Sequence, residues 1–260
     1  MVPSNTSAVN ANVSPSVGCG WTVSDISSAS EPISIASIPS EIISPAEGPT
    51  IPTPRTVLDS SSNNENYVSR SENGLSGCIN IYDSSIYNLK IKTDNTNCED
   101  AINFVRVNGN INSMKINNSA FDGMDADFSN IKFDNVNIYK SLNDCLDFSF
   151  GKYEVKNAQI QYCGDKAISI GEVSNVEITN VNIENTNSAI ASKDYAKTHI
   201  SKSKISNTKY CFQAYNKKTE FAGGYIYSKN NKFKFDLKLA LVDQSSKILL
   251  NGKNYSTTKW

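Results

Sequence analysis

The central part of the chain repeats one hydrophobic pattern every 22 residues, from about residue 98 to residue 216. In each repeat, the third position of a six-residue segment is apolar and the fifth is apolar or small. The third-position residues are Ile102, Met124, Leu146, Ile168, Ile190 and Phe212. Alternation with a period of two is typical of a β-strand that buries one face. The pattern therefore predicts a short strand at the same place in every repeat.

A second apolar group occupies the other half of each repeat. Its members in three successive repeats are Ile111, Met114 and Ile116, then Phe133, Val136 and Ile138, then Val155, Ala158 and Ile160. A fixed period of this length predicts a solenoid, in which each coil buries its apolar face against its neighbours. Two or three strands per coil, without a helical period, indicate an all-β parallel β-helix. A leucine-rich repeat of similar period is disfavoured because Leu is scarce.

A change in composition divides the chain into three parts. Residues 1–70 are rich in Ser and Pro, contain all eight prolines and carry no Lys. Such a segment buries too little apolar surface to offset the entropy of ordering it, so we expect an extended or disordered arm that covers the open end of the solenoid. Its alternating segment 33–38 could add a strand to the solenoid or to a partner. We expect the parallel β-helix over 71–228 and an irregular coil or cap over 229–260.

Composition narrows the possible partners. The net charge of -1 gives no general attraction to nucleic acid. No apolar run is long enough to span a membrane, so we expect no membrane span. The chain contains 33 Asn, a residue that tolerates the left-handed backbone conformation in turns and stacks on the Asn of the next coil. We interpret this abundance as structural.

The six cysteines suggest disulfides rather than zinc. No Cys-x-x-Cys spacing is present, and His199, the one His, is expected to be a surface or turn residue. Cys78 and Cys98 lie nearly one coil apart and could form a disulfide. Cys145 and Cys211 share a position next to the buried row, which suggests small core or turn residues.

Acidic residues recur at fixed positions of two neighbouring coils. The candidate ligand-binding residues are Asp122, Asp125, Asp127, Asp144, Asp147 and Lys193. If Met124 and Leu146 point inward, Asp125 and Asp147 point outward from adjacent strands, roughly 5 Å apart. Carboxylates stacked so closely destabilise the fold unless something compensates their charge.

Three mechanisms could compensate the charge of these carboxylates. A calcium ion could bind Asp125, Asp127 and Asp147, since calcium prefers oxygen ligands. A shared proton would raise the pKa of one carboxyl and make it an acid catalyst. Lys166 and Lys193 continue the acidic columns and could neutralise them. The alternative is that these residues are structural, because an Asp at the start of a coil often caps a turn.

Segments 122–129, 164–172 and 189–194 resemble the pectate-lyase-like right-handed parallel β-helix superfamily, and in particular the β-helix modules of bacterial exported and surface proteins. The resemblance covers about 78–228 and implies right-handed coils. This fold hosts many unrelated functions. The Asp-Asp and Gly-His-Gly motifs of polygalacturonase-like enzymes are absent, and no lyase signature surrounds Arg106 or Lys193, the bases such a lyase would need. The resemblance therefore implies no catalytic residue here.

We expect a non-catalytic, extracellular or cell-surface module that binds a polysaccharide or a surface protein. One alternative is a polysaccharide lyase or hydrolase that acts on an acidic glycan. Another is a virion or tailspike-like structural protein, which would form a trimer with the N-terminal arm as its attachment element.

Overall fold

A computed structural model of the chain describes residues 33–36, 57–61, 75–233 and 238–255, and their regular elements are all β-strands. The first ten are β1 (Ile33–Ala36), β2 (Val57–Ser61), β3 (Gly77–Tyr82), β4 (Ser85–Thr96), β5 (Asp100–Val105), β6 (Asn108–Ser119), β7 (Asp122–Asp127), β8 (Asn130–Phe133), β9 (Val136–Ser141) and β10 (Leu146–Ser149). The others are β11 (Lys152–Cys163), β12 (Lys166–Ile170), β13 (Asn175–Lys193), β14 (Lys197–Ser201), β15 (Lys204–Tyr215), β16 (Tyr225–Lys229), β17 (Lys232–Phe233), β18 (Lys238–Val242), β19 (Lys247–Leu250) and β20 (Lys253–Tyr255).

The strands stack in parallel register as coils with three faces, which confirms the predicted all-β solenoid. Face 1 contains β3, β5, β7, β10, β12, the ends of β13 and β15, and β18. Face 2 contains the starts of β6, β11 and β13, with β8, β14, β16 and β19. Face 3 contains later parts of β4, β6, β11 and β13, the start of β15, and β9 and β17.

The core is the column of inward side chains predicted from the repeat. Met124 pairs with Ile102 on one side and with Leu146 on the other, and all three are fully buried. Phe133 of face 2 fills the space between Phe104 and Phe148 of face 1, with ring centroids 6.4 Å and 5.8 Å away. Each such side chain contributes about 1.5–3 kcal/mol by leaving water. Stacking of coils therefore supplies the apolar contacts that a single coil lacks.

The corners between faces require residues in the left-handed backbone conformation. Asn fills most of these positions at the two corners that flank face 3. They include Asn95, Asn118, Asn185 and Asn207 at one corner and Asn88, Asn157, Asn180 and Asn230 at the other. The side chains bond from coil to coil, as in Asn180 to Asn157 at 2.7 Å. The predicted structural use of Asn is confirmed at these corners.

Strands also continue the solenoid at its two ends. β1 pairs in parallel with β3, and β2 with β4, so the predicted strand of the arm is found over Ile33–Ala36 and adds to the solenoid. The rest of the predicted arm lies outside the described residues. At the other end, β20 turns back antiparallel to β19. The domain boundaries at 70 and 228 stay a prediction.

Two disulfides join the beginning of a coil to the end of the same coil. Cys78–Cys98 confirms the predicted pair, and Cys145–Cys163 was not predicted. Cys145 is a buried core residue, as expected, but its partner follows 18 residues later, on the strand that closes the coil. Cys211 is buried and free.

Truncating the fully buried Leu146 should destabilise the solenoid strongly. Leu146→Ala leaves a cavity among close-packed side chains, which we expect to lower the free energy of unfolding by about 2–5 kcal/mol in urea denaturation. Leu142→Ala is the matched control, because Leu142 is 62% exposed, and its effect should stay within about 0.5 kcal/mol. Equal losses in the two variants would contradict the inward position of Leu146.

Candidate functional site

Face 1 brings the predicted acidic residues together. Asp122 pairs with Asp100, and Asp125 with Asp147, each on adjacent strands. Asp127 ends β7 beside Ser149 of β10. We call this surface the acidic face, defined by Asp100, Asp122, Asp125, Asp127, Asp144 and Asp147.

One column of the acidic face holds the backbone of the next coil. Asp122 Oδ1 accepts hydrogen bonds from the backbone N–H of Asp144 at 2.9 Å and from the side-chain amide of Asn143 at 2.6 Å. Asp144 Oδ1 accepts one from the backbone N–H of Lys166 at 2.9 Å. These bonds match the structural alternative for this column, in which Asp caps a turn.

The acidic face is more buried than a row of solvated carboxylates would be. Asp100 and Asp144 are 3% and 4% exposed. Asp147 Oδ1 is buried without a hydrogen-bond partner. The side chain of the neighbouring Asp125 accepts a hydrogen bond from the side-chain amide of Asn103 at 3.2 Å. Burial in a low dielectric disfavours the charged form of each carboxyl.

The pKa values follow from this burial. Burial, with the charge of Asp122 adding to it, raises the pKa of Asp100 to about 7. Burial also raises the pKa of Asp122 to about 7, with the charge of Asp144 adding to it. For Asp125 and Asp147 burial again raises the pKa, and at Asp147 the charge of Lys193 opposes the shift.

Two lysines provide charge compensation at the C-terminal side of the acidic face. Lys166 Nζ lies 3.4 Å from Asp144 Oδ1. Lys193 is 5% exposed and donates to Ser169 Oγ at 2.7 Å. In the described part of the chain, no three Asp, Glu, His or Cys side chains are grouped closely enough to hold a metal ion. Calcium binding by Asp125, Asp127 and Asp147 stays a prediction.

A second surface, which the sequence interpretation missed, lies at the corner between faces 1 and 2. We call it the aromatic corner, defined by Phe128, Phe150, Val173, Tyr195 and Phe221. Phe128 and Phe150 stack in parallel, 4.7 Å apart at an interplanar angle of 5°. Phe221 packs edge-on against Phe150 and Tyr195. Phe128 is 53% exposed, Phe150 39% and Tyr195 46%, so an apolar ridge faces solvent.

The backbone at the aromatic corner is unusual. Phe128, Phe150, Val173 and Tyr195 have φ of 52°, 48°, 61° and 63°. The left-handed conformation costs roughly 1–2 kcal/mol for a residue with a Cβ, and it is most unfavourable for bulky or β-branched residues. The other two corners meet the same requirement mainly with Asn. Bulky residues at this corner therefore lower stability while exposing apolar surface, which is typical of a functional surface.

A groove of about 580 Å³ follows the aromatic corner onto face 2. Phe128, Phe150, Val173 and Tyr195 form its apolar wall. Its polar floor is one exposed residue from each of four adjacent strands, namely Asn130, Lys152, Asn175 and Lys197. No acidic residue lines this groove, and within the described residues neither lysine forms an ion pair.

A repeat signal for the aromatic corner was present in the sequence. Phe128 and Phe150 are one period apart, and Val173 and Tyr195 follow at the same place in later coils. Phe128 and Phe150 directly follow the six-residue segments that predict strands, and Val173 and Tyr195 lie one residue further on. The left-handed conformation of these four residues is a property of the folded coil. The hydrophobic pattern alone therefore did not show that their side chains are exposed.

No family model, curated protein or solved structure significantly matches this chain. The parallel solenoid is thus established by the structure, while the pectate-lyase-like resemblance gains no independent support. Over the described residues, the chain forms no helix of the length and apolar character needed to cross a membrane.

The buried carboxyls predict a stability that falls as the pH rises. The pKa of Asp100 and of Asp122 is 3.8 in the unfolded chain and about 7 in the folded chain. Their contribution is complete below 3.8 and is lost as the pH rises through about 7. Thermal melting should therefore show that Asp122→Asn flattens the decline of melting temperature between pH 4 and pH 7 relative to the native chain.

Asp134→Asn is a control for this experiment, since Asp134 lies outside the acidic face. It should leave the slope of melting temperature against pH unchanged. A melting temperature of the native chain that rises steadily from pH 4 to pH 7, with the same slope in Asp122→Asn, would contradict the raised pKa of Asp122.

Proposed function

We propose that this chain is a non-catalytic glycan-binding module and that the aromatic corner is its binding site. The observation that carries the proposal is the exposed stack of Phe128 and Phe150, held in strained backbone positions beside a polar floor. A sugar ring presents apolar C–H groups and a rim of hydroxyls. An apolar wall next to hydrogen-bonding side chains is complementary to both.

The size of the groove favours a small or narrow ligand over a folded protein. Its volume of about 580 Å³ lies within the range of roughly 300–1,000 Å³ found for ligand sites. A stable protein interface needs about 800 Å² from each partner, and ten residues line this groove. A protein partner is the competing occupant, and the binding experiment below distinguishes the two.

The charges of the groove favour a glycan that carries carboxylates. Lys152 and Lys197 are the charged residues of its lining. They lie on β11 and β14, with one strand between them, so their Cα atoms are roughly 10 Å apart. Two ammonium groups at this spacing suit carboxylates along an extended uronate chain.

The proposal includes an extracellular or cell-surface location and a pectate-lyase-like ancestry for the solenoid. The two disulfides support an oxidising compartment, because such bonds are rare in the reducing cytosol. The ancestry rests on the parallel coils and on the segments that resemble that superfamily.

An enzymatic function on face 1 is the second candidate. It is favoured by the raised pKa of about 7 at Asp100 and Asp122, because a carboxyl protonated near neutral pH can act as a general acid. Ultraviolet detection of unsaturated product, or a reducing-sugar assay, on acidic polysaccharides would reveal lyase or hydrolase activity. Activity that is lost in Asp122→Asn would replace the non-catalytic proposal.

Removing an aromatic ring from the corner should weaken glycan binding. The measurement is affinity electrophoresis in gels that contain polygalacturonate, alginate, hyaluronan or neutral xylan. We expect at least one of the uronate polymers to retard the native chain. Phe150→Ala should weaken that binding about tenfold, which corresponds to about 1.4 kcal/mol of lost apolar contact.

Tyr139→Ala is the matched control, because Tyr139 also forms an exposed aromatic pair, with Tyr162 at 5.2 Å, but on face 3. It should bind like the native chain. Equal binding by Phe150→Ala and the native chain would exclude the aromatic corner, and retardation by none of the three uronate polymers would refute a uronate ligand.

The lysines of the groove should account for the salt dependence of binding. Lys152→Ala and Lys197→Ala should each weaken binding severalfold at low ionic strength and reduce its dependence on sodium chloride, since exposed charges are screened. Lys132→Ala is the control, because Lys132 lies on face 2 outside the groove lining. Binding to the uronate polymer that is unaffected by salt would contradict the role of the lysines.

A further inference from the structure

A second groove, of about 770 Å³, opens on face 2 toward the C-terminal end of the solenoid. Its lining includes Glu177, His199, Ser201, Tyr227, Lys229 and Asn251. The sequence did not predict this groove, and His199 was expected to be a surface or turn residue. His199 is indeed on the surface, on β14.

Three side chains in this groove, those of Glu177, His199 and Tyr227, contact one another. His199 Nδ1 lies 2.7 Å from Glu177 Oε1, and the imidazole packs edge-to-face on the ring of Tyr227 with centroids 4.7 Å apart. The three residues occupy the same position on β13, β14 and β16. An aromatic ring beside polar groups repeats the chemistry of the aromatic corner.

The two grooves share strands. Asn175 of the first groove and Glu177 of the second lie two residues apart on β13, and Lys197 and His199 lie two residues apart on β14. Alternate residues of a strand point to the same side and are roughly 7 Å apart. The polar floor of one groove therefore continues into the other across a single exposed face.

The combined surface is long and narrow. Face 2 passes from Asn130 through Lys152, Asn175 and Lys197 to Tyr225 on five successive strands. Four strand spacings of about 4.8 Å make roughly 19 Å along the solenoid axis. Aromatic side chains lie near each end of this surface, Phe128 and Phe150 at one end and Tyr227 at the other.

We infer that both grooves bind one extended oligosaccharide, which crosses face 2 from the aromatic corner to Tyr227. The ligand is then a uronate chain of several sugar rings rather than a single sugar or a chain terminus. This inference rests on the proposed glycan binding at the aromatic corner. Lys229 in the second groove continues the pattern of ammonium groups along the path, and Glu177, the acidic residue of that groove, lies 2.7 Å from His199 Nδ1.

Chain length tests this inference separately from the proposed function. Isothermal titration calorimetry would use dimers, tetramers and hexamers of the uronate that binds best among galacturonate, alginate and hyaluronan fragments. For the native chain we expect affinity to rise at least tenfold from dimer to hexamer. Tyr227→Ala and His199→Ala should abolish most of this gain while leaving the dimer affinity unchanged.

The unchanged dimer affinity also serves as the folding control for both variants. Hexamer binding by Tyr227→Ala and His199→Ala that equals native binding would overturn the extended path, and so would an affinity that does not depend on length. In either case, weaker dimer binding by Phe150→Ala than by the native chain would still support the aromatic corner. Failure of all lengths to bind the native chain would overturn both proposals.

Discussion

Parallel pairing of one coil on the next is the constraint on which the rest of the structure depends. A single 22-residue coil cannot satisfy its backbone or bury its apolar side chains, so each coil requires a neighbour in register. Register stacks equivalent residues in columns, and successive residues of one column are about 4.8 Å apart. The stacked core, the rows of Asn and the acidic face are consequences of this one geometry, because whatever occupies a position in one coil meets its counterpart in the next.

The same constraint makes departures from the column pattern informative. Every coil must turn sharply three times, and Asn meets this need at low cost in most coils at two corners, with Lys140, Tyr162 and Lys202 as exceptions. At the third corner Phe128, Phe150, Val173 and Tyr195 occupy left-handed positions and remain exposed. Selection for stability alone would replace them with Asn or Gly. The carboxyls of the acidic face are different, since Asp122 and Asp144 hold the next coil by accepting backbone N–H groups.

The period and the inward columns could be predicted from the sequence because burial selects apolar residues at fixed spacing. The Cys78–Cys98 pair followed from the same register. The burial of Asp147 and the Cys145–Cys163 bond could not be predicted, since they depend on how side chains of different strands approach one another. The aromatic corner was missed for a related reason. An apolar residue next to a strand has the same pattern whether it faces the core or solvent, and only the turn conformation decides between them.

Amide chemical-shift mapping by NMR, with the native chain titrated by a uronate hexamer, tests the central claim most directly. The account predicts shifts at the aromatic corner and along face 2, around Phe128, Phe150, Asn175 and Lys197, while face 3 around Tyr139 stays unchanged. Shifts confined to the acidic face would contradict the assigned site and favour chemistry on face 1. A spectrum unchanged at saturating hexamer would contradict glycan binding by this solenoid.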